Sequence, residues 1–467
     1  MRTVIRVSAL AVALAVGAYA PAQAPLPAPT GRPLDIDFAA DPILRLRRAQ
    51  LPFEQFRGAI AHAIEHHPGI EEAAAAEDEA MGVVREVRAA QRPTLDITVT
   101  SYRIISREFS NDPNNIIERS RPEQRTDAIV SAQQTLFDFG ATARRAAAAG
   151  ARLRAAGAEL EQSADAIALN AIAAWYDVFG NRALVALTEA FLASQRELRA
   201  AVEVRIREGV SAEGDLPRVD SYIAQAETRL ARFRRQLATA EARFTELTGA
   251  PPPPDLLRAP APGTPVQNRD EAALAAQDAP AVRSAQAIAD ATRQEARAAR
   301  ADRLPQLSAG VDAGRYGVFE NDRDYDIRGR VALRWRPLGP ADPRADQAVA
   351  RARSADARAS RISEEASRDA AIAFSDVRAL EQQLEALEQA YIASRTSRDV
   401  IAERFRAARG TLFDVVAAED AYFEAATSYI QALTELDAAR YILLSRTGRL
   451  LEVLRIDTDR LRGEGER

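Results

Sequence analysis

The chain has no cysteine and no lysine. Without cysteine there are no disulfides, thiolate metal sites or thiol nucleophiles, and no lipid-modified N-terminal cysteine. Without lysine, all 62 basic residues are arginine, which excludes Schiff-base chemistry and the phosphate-binding lysine of a P-loop. His62, His66 and His67 are the only histidines. A Ser-His-Asp triad would have to draw on one of these three, so an enzyme is not expected. The i, i+4 pair His62 and His66, beside Glu65, could grip a metal, but a firm site needs a further ligand and a dry pocket. A solvated helix end is the simpler reading, and no metal or cofactor is expected. No run of 18 apolar residues follows the N-terminal segment, so no transmembrane helix is expected, and entry into a bilayer would have to be by strands. The net charge of −5 and the mixing of Arg144-Arg145 and Arg234-Arg235 with acidic residues argue against nucleic acid as a partner.

Aromatics are only 6% and charged residues 28%. Alanine and arginine dominate, which favours long helices over a bulky core. Arg2 and Arg6 precede an apolar stretch, Val7 to Ala20, too short to span a bilayer comfortably and followed by small residues. This reads as an export signal, residues 1–22, cleaved before Gln23. Residues 23–52 read as an extended N-terminal arm.

The rest is one unit written twice. Pro68 and Pro93 recur as Pro280 and Pro305, displaced by 212. Asp127, Gly140, Asp177, Val178, Asp215, Thr248 and Gly249 recur displaced by 199, as Asp326, Gly339, Asp376, Val377, Asp414, Thr447 and Gly448. The first copy therefore holds 13 extra residues between Pro93 and Asp127. The first repeat, 53–250, reads as a helix, a strand pair over 94–137 with a polar loop at 110–126, and long helices over 141–208 and 215–248. A Pro-rich linker, 251–268, leads to the second repeat, 269–456, with a strand pair over 306–336 and helices over 342–408 and 414–448. Residues 457–467 read as a disordered tail.

Leu216, Val219, Ile223, Ala226, Leu230, Phe233, Leu237, Ala240, Phe244 and Leu247 are spaced alternately by three and four. That is a heptad seam and predicts left-handed coiled-coil packing. Val415, Ala418, Tyr422, Ala425, Tyr429, Ala432, Leu436, Ala439 and Leu443 repeat it, and Val377, Leu380, Leu384, Leu387 and Tyr391 give the preceding helix its own. A helix over 141–208 would be roughly 100 Å long and must be bundled. Trp175 and Tyr176 are expected in its core.

The strand-like runs have period two. Arg328, Arg330, Arg334 and Arg336 alternate with Gly329, Val331, Leu333 and Trp335, and Leu95, Ile97 and Val99 alternate with Asp96, Thr98 and Thr100. Runs of about ten residues with this pattern fit a transmembrane barrel. The four arginines would line the pore, while Val331, Leu333 and Trp335 would face outer-membrane lipid. Four strands cannot close a barrel, and open edges are not tolerated in lipid, so identical subunits in a ring are the economical solution. The rival reading is a soluble periplasmic or secreted coiled-coil scaffold without a pore.

The tandem order of helix, strand pair and two long helices resembles the outer membrane efflux protein family, the TolC-like channels. The junction Leu136-Phe137-Asp138-Phe139-Gly140, echoed by Trp335-Arg336-Pro337-Leu338-Gly339, carries the likeness. So does the helix break, where Gly is followed six residues later by Asp. Gly209 and Asp215 match this. In the second copy Asp414 matches, Ala408 replaces the Gly, and Gly410 lies two positions on. The resemblance covers residues 53–455. It implies a mainly α fold with transmembrane β-strands: antiparallel coiled-coil helices plus four strands per chain, forming a homotrimeric twelve-stranded β-barrel continuous with a helical tunnel. It also implies a periplasmic adaptor (membrane fusion) protein, an inner-membrane pump or ATP-driven (ABC) exporter, and the outer membrane of a Gram-negative bacterium. The helix breaks would form the periplasmic entrance. Asp414, Asp215, Glu419 and Asp420 are candidates for an acidic ring there, and Gly209, Gly410 and Thr411 for adaptor contacts. The two aspartates at the breaks are equally suited to capping helices. The segment Arg409–Glu419 looks more like members that serve type I protein secretion than like drug-efflux members.

Overall fold

A computed structural model describes residues 27, 29–33, 35–109, 116–264, 266–320, 323–337, 339–407 and 409–461. The expected signal peptide, loop residues 110–115, Ala408 and tail residues 462–467 lie outside the described residues. Compactness divides the chain across the sequence repeats rather than between them. One unit takes residues 1–59, 171–261 and 379–438; the second takes 60–170, 262–378 and 439–467.

In chain order the arm contributes α1 (Pro42–Arg45). The first repeat then gives α2 (Phe53–His66), α3 (Pro68–Ala89), β1 (Thr94–Arg103), α4 (Ile116–Arg119), β2 (Gln124–Phe137), α5 (Ala141–Arg207) and α6 (Asp215–Thr248). The second gives α7 (Arg269–Ala275), α8 (Pro280–Ala301), β3 (Gln306–Arg315), β4 (Tyr325–Arg334), α9 (Ala341–Arg406), α10 (Leu412–Arg446) and α11 (Leu450–Val453). The repeated prolines, Pro68 and Pro280, occupy the first turns of α3 and α8, where a missing N–H costs nothing. The repeated glycines Gly249 and Gly448 sit at φ 71° and 68°, the left-handed stop that follows α6 and α10. None of the described helices is long and apolar enough to cross a membrane.

The second unit holds a four-stranded antiparallel sheet in the order β1-β2-β3-β4. Directly paired residues share a face, so the register defines two surfaces. Leu95 opposes Ala132, Ile97 opposes Val130 and Val99 opposes Ala128. Ala132 and Val130 oppose Val311 and Ala313. Ala313, Ala309 and Leu307 oppose Ile327, Val331 and Leu333. One face is therefore apolar in its middle across all four strands, interrupted by Gln134 and bordered at the loop end by Ser101, Thr126 and Arg315. The other carries Asp96, Thr98, Ser131, Gln133, Ser308, Asp312, Arg328, Arg330 and Arg334. The apolar face is bare within the chain: Ile97 is 70% and Val331 72% exposed. Outside the sheet the unit is knitted by small side chains, with Ala285 and Ala289 of α8 packed on Ala355, Ala359 and Ile362 of α9.

In the first unit the predicted seam of α6 faces inward, with Val219, Ala226, Leu230, Phe233, Ala240 and Phe244 buried. α10 is buried more broadly than its single predicted seam, since Phe423, Ala426, Ile430 and Leu433 are buried beside Tyr422 and Tyr429. The Pro-rich linker is more than a spacer. Trp175 Nε1 donates to Leu257 O at 2.9 Å and the Tyr176 hydroxyl to Ala259 O at 3.3 Å. Arg258 makes a two-pronged, fully buried ion pair with Asp437 at 2.6 and 2.7 Å. Leu51 N–H of the arm donates to Arg258 O.

Candidate functional site

Both helix breaks lie in the first unit, and one apolar cluster holds them. Val202 of α5, Val219 of α6, Phe405 of α9 and Leu412, Val415 and Val416 of α10 pack together, with Leu198, Ile206, Tyr222, Ile223 and Ile401 around them. Arg205, which sequence reasoning passed over, joins the breaks. Its guanidinium donates to Phe405 O at 2.8 Å and to Ser211 Oγ at 3.2 Å, and lies 4.2 Å from the Phe405 ring centroid. The only signal for it in the sequence is a cation in the last turn of a helix, where carbonyls without helical partners attract positive charge.

Each break has its own chemistry. Gly209 adopts φ 74°, its N–H bonds to Ile206 O at 3.0 Å, and Val210 N–H bonds to Arg205 O at 2.8 Å. This is a Schellman stop, and it requires the left-handed conformation that glycine adopts freely. Arg409 N–H makes the equivalent bond to Arg404 O at 2.9 Å, whereas Gly410 is not left-handed and does not make the stop. Asp215 is the first residue of α6 and partly exposed, behind Gly214, which lends no side-chain cap. Asp414 sits in a capping box. Its Oδ2 accepts from Thr411 N–H at 3.2 Å and Thr411 Oγ1 at 2.7 Å, and its own N–H bonds to Thr411 Oγ1 at 3.2 Å. The Thr411 bonds hold the exposed Asp414 carboxyl below its usual range. Thr411 is thus the cap of α10 and Asp414 the third residue of the helix.

Asp420 is partly exposed and ion-paired with Arg229 at 3.2 Å. Glu419 is a correction to the expected entrance set. It is only 4% exposed, turned inward with Arg398 at 3.9 Å, and burial pushes its carboxyl upward despite that arginine. A carboxylate enclosed by its own chain presents no charge to a surface.

Glu419 belongs to a buried polar cluster that sequence reasoning did not find. Arg398 pairs with Asp399 at 2.6 Å and lies over the Tyr422 ring. The Tyr391 hydroxyl bonds to Asp41 at 2.9 Å and stands 3.0 Å from the Tyr422 hydroxyl. Asp41 also ion-pairs with Arg395 and caps α1 by accepting from Ile43 N–H at 2.8 Å. Burial raises both tyrosine hydroxyls, that of Tyr422 to about 12. The cluster clasps the arm: Arg398 donates to Pro27 O at 2.9 Å and Thr30 N–H to Asp399 at 3.4 Å. Arg47 adds an exposed ion pair with Glu388 at 2.7 Å.

In the second unit, Arg328, Arg330 and Arg334 lie on the polar face of β4, with Arg328 ion-paired to Asp326. Val331 and Leu333 lie on the apolar face. Trp335 and Arg336, expected as the end of the strand, fall just past it, because β4 ends at Arg334. At the junction from β2 to α5, Asp138 accepts from Gly140 N–H at 3.0 Å and Thr142 N–H at 2.7 Å, while Phe139 and Gly140 take φ 54° and 83°. The His62 and His66 rings stack with centroids 4.0 Å apart, and His67 caps α3 through Gly69 N–H.

The combination of paired antiparallel strands and two very long helices, given twice, is the architecture of TolC-like outer-membrane channels. Solved structures show this directly. The outer-membrane channel OprN superposes with a TM-score of 0.74 at 20% identity, over 87% of this chain and 91% of that one. The outer membrane protein VceC from Vibrio cholerae gives 0.73 at 18%, over 86% and 97%. The Campylobacter jejuni CmeC outer membrane channel gives 0.73 at 12%, over 89% of each. Residues 59–250 match the family model described as Outer membrane efflux protein, so the family resemblance read from the sequence is shown for that stretch. Comparison of the sequence with curated proteins gives no match.

Proposed function

We propose that the chain is the outer-membrane duct of a tripartite export system in a Gram-negative cell. Three copies close their sheets into one barrel, and an adaptor and an inner-membrane pump or ABC exporter deliver cargo to the helix breaks. The observation that carries this is the two-faced sheet with free edges at β1 and β4. A soluble scaffold has no use for an apolar face that its own chain leaves uncovered. A barrel in lipid requires that face, and requires partners to pair the edges. The purified protein should form stable trimers in detergent and discrete conductance steps in planar bilayers. A soluble monomer without conductance would overturn the reading.

We assign the entrance to the two breaks, with Asp414 as the principal acidic residue, Asp215 and Asp420 beside it, and Gly209, Gly410 and Thr411 as the contact points for the adaptor. Arg328, Arg330 and Arg334 then face the lumen. Asp414→Ala should lower cation preference in single-channel recordings, and unchanged selectivity would remove Asp414 from the ring. The segment Arg409–Glu419 does not favour protein secretion over small-molecule efflux. Thr411 and Asp414 are engaged by the start of α10, Leu412, Val415 and Val416 by the core, and Glu419 by Arg398. Such packing roles serve either cargo.

A further inference from the structure

Where α8 passes into β3 and β4 into α9, the second unit has a cleft of about 450 Å³. Its lining includes Arg300, Arg303, Leu304, Trp335, Arg336 and Asp342. Three guanidiniums therefore face one carboxylate, and Arg303 already pairs with it. The neighbouring Asp302 is engaged by Arg145 at 2.5 Å. Among the described residues no carboxylate lies within ion-pair distance of Arg300 or Arg336. The cleft keeps a surplus of positive charge, on side chains that are all exposed.

The same cleft lies at the end of the sheet, where Trp335 directly follows β4. Trp335 continues the alternation of Val331 and Leu333, is 59% exposed, and is followed directly by Arg336. An exposed tryptophan at the end of an apolar strand face, beside cations, suits the boundary between acyl chains and headgroups. A guanidinium matches the paired oxygens of a phosphodiester. A choline or ethanolamine headgroup brings a cation of its own, and the cleft has no free carboxylate to receive it.

We propose that Arg300, Arg303 and Arg336, with Trp335, bind the headgroup of an anionic phospholipid of the phosphatidylglycerol type. The proposal rests on the reading of the sheet as a membrane barrel.

Tryptophan fluorescence tests it, because the chain has two tryptophans and Trp175 is only 3% exposed. The full chain is reconstituted in phosphatidylethanolamine vesicles containing either brominated phosphatidylglycerol or brominated phosphatidylcholine at equal mole fraction, and conductance is recorded from each sample. Trp335 should be quenched more strongly by the brominated phosphatidylglycerol. Arg300→Gln with Arg336→Gln should abolish that excess, with association weakened about five-fold for each arginine removed, while quenching by phosphatidylcholine and conductance persist. An excess that survives the double variant, or its absence in the parent chain, overturns the site. Displacement of the excess by inorganic phosphate overturns the lipid as its occupant. Absence of quenching by either lipid together with absence of conductance overturns the membrane reading, and the site falls with it.

Discussion

At the residue scale the helix breaks join roles that the sequence left as alternatives. Asp414 caps α10 with Thr411 and still keeps an exposed carboxylate. Thr411→Ala should cost about 1 kcal/mol of local stability, read as roughly five-fold faster amide exchange over Leu412 to Val415. The two acidic residues respond to pH in opposite directions. The Asp414 carboxyl is held below its ordinary value by Thr411, so its contribution to stability is present above about pH 4 and is lost as pH falls through its folded value. Glu419 is raised by burial, so its contribution is complete at low pH and is lost as pH rises from its ordinary carboxyl range through its folded value. Denaturant titrations of Glu419→Gln should show the variant gaining on the parent as pH rises from 4 to 7. A difference that stays constant with pH would mean that Glu419 is already neutral or already fully compensated. The sequence reading starts this helix at Asp414; it starts at Leu412, because Thr411 is the cap of a Thr-x-x-Asp capping box in which Asp414 is the third helical residue. The burial of Glu419 was not legible, because four of five residues from Val415 to Glu419 are buried and no single-seam period puts that many inside.

At the element scale, long helices and strands were readable because their periods run for many residues: three and four in α6, two in β1 and β4. The sequence reads an extended arm and a Pro-rich linker but not what holds them, because what fixes them is distant in sequence. Arg258 meets Asp437 across 179 positions and Asp41 meets Tyr391 across 350. Proline content announces stiffness but says nothing about what a stiff segment rests on. Asp41→Ala would strand Arg395 in a buried site without its carboxylate, and should cost about 3–5 kcal/mol, the range for breaking one side of a buried pair. Limited proteolysis should then cut the arm before the long helices. An arm as resistant as in the parent chain would show that the clasp is dispensable.

At the scale of the whole molecule, the sheet separates a channel from a scaffold. Ile97 and Thr98 are neighbours in sequence on opposite faces of β1. If the apolar face meets lipid, Ile97→Arg should impair membrane assembly by roughly 2–4 kcal/mol near mid-bilayer, lowering the yield of trimers from membranes. Thr98→Arg should assemble normally and alter conductance instead. Equal effects of the two would refute the assignment of faces. The clasp of the arm also bears on the order of folding. Pro27, Thr30 and Asp41 are held by Tyr391, Arg395, Arg398 and Asp399, which follow Asp41 by 350 positions or more. Closing so wide a loop is slow, so the arm must wait for α9 to be made, and a chain cut short before α9 would leave Asp41 only its cap of α1, without Tyr391 or Arg395.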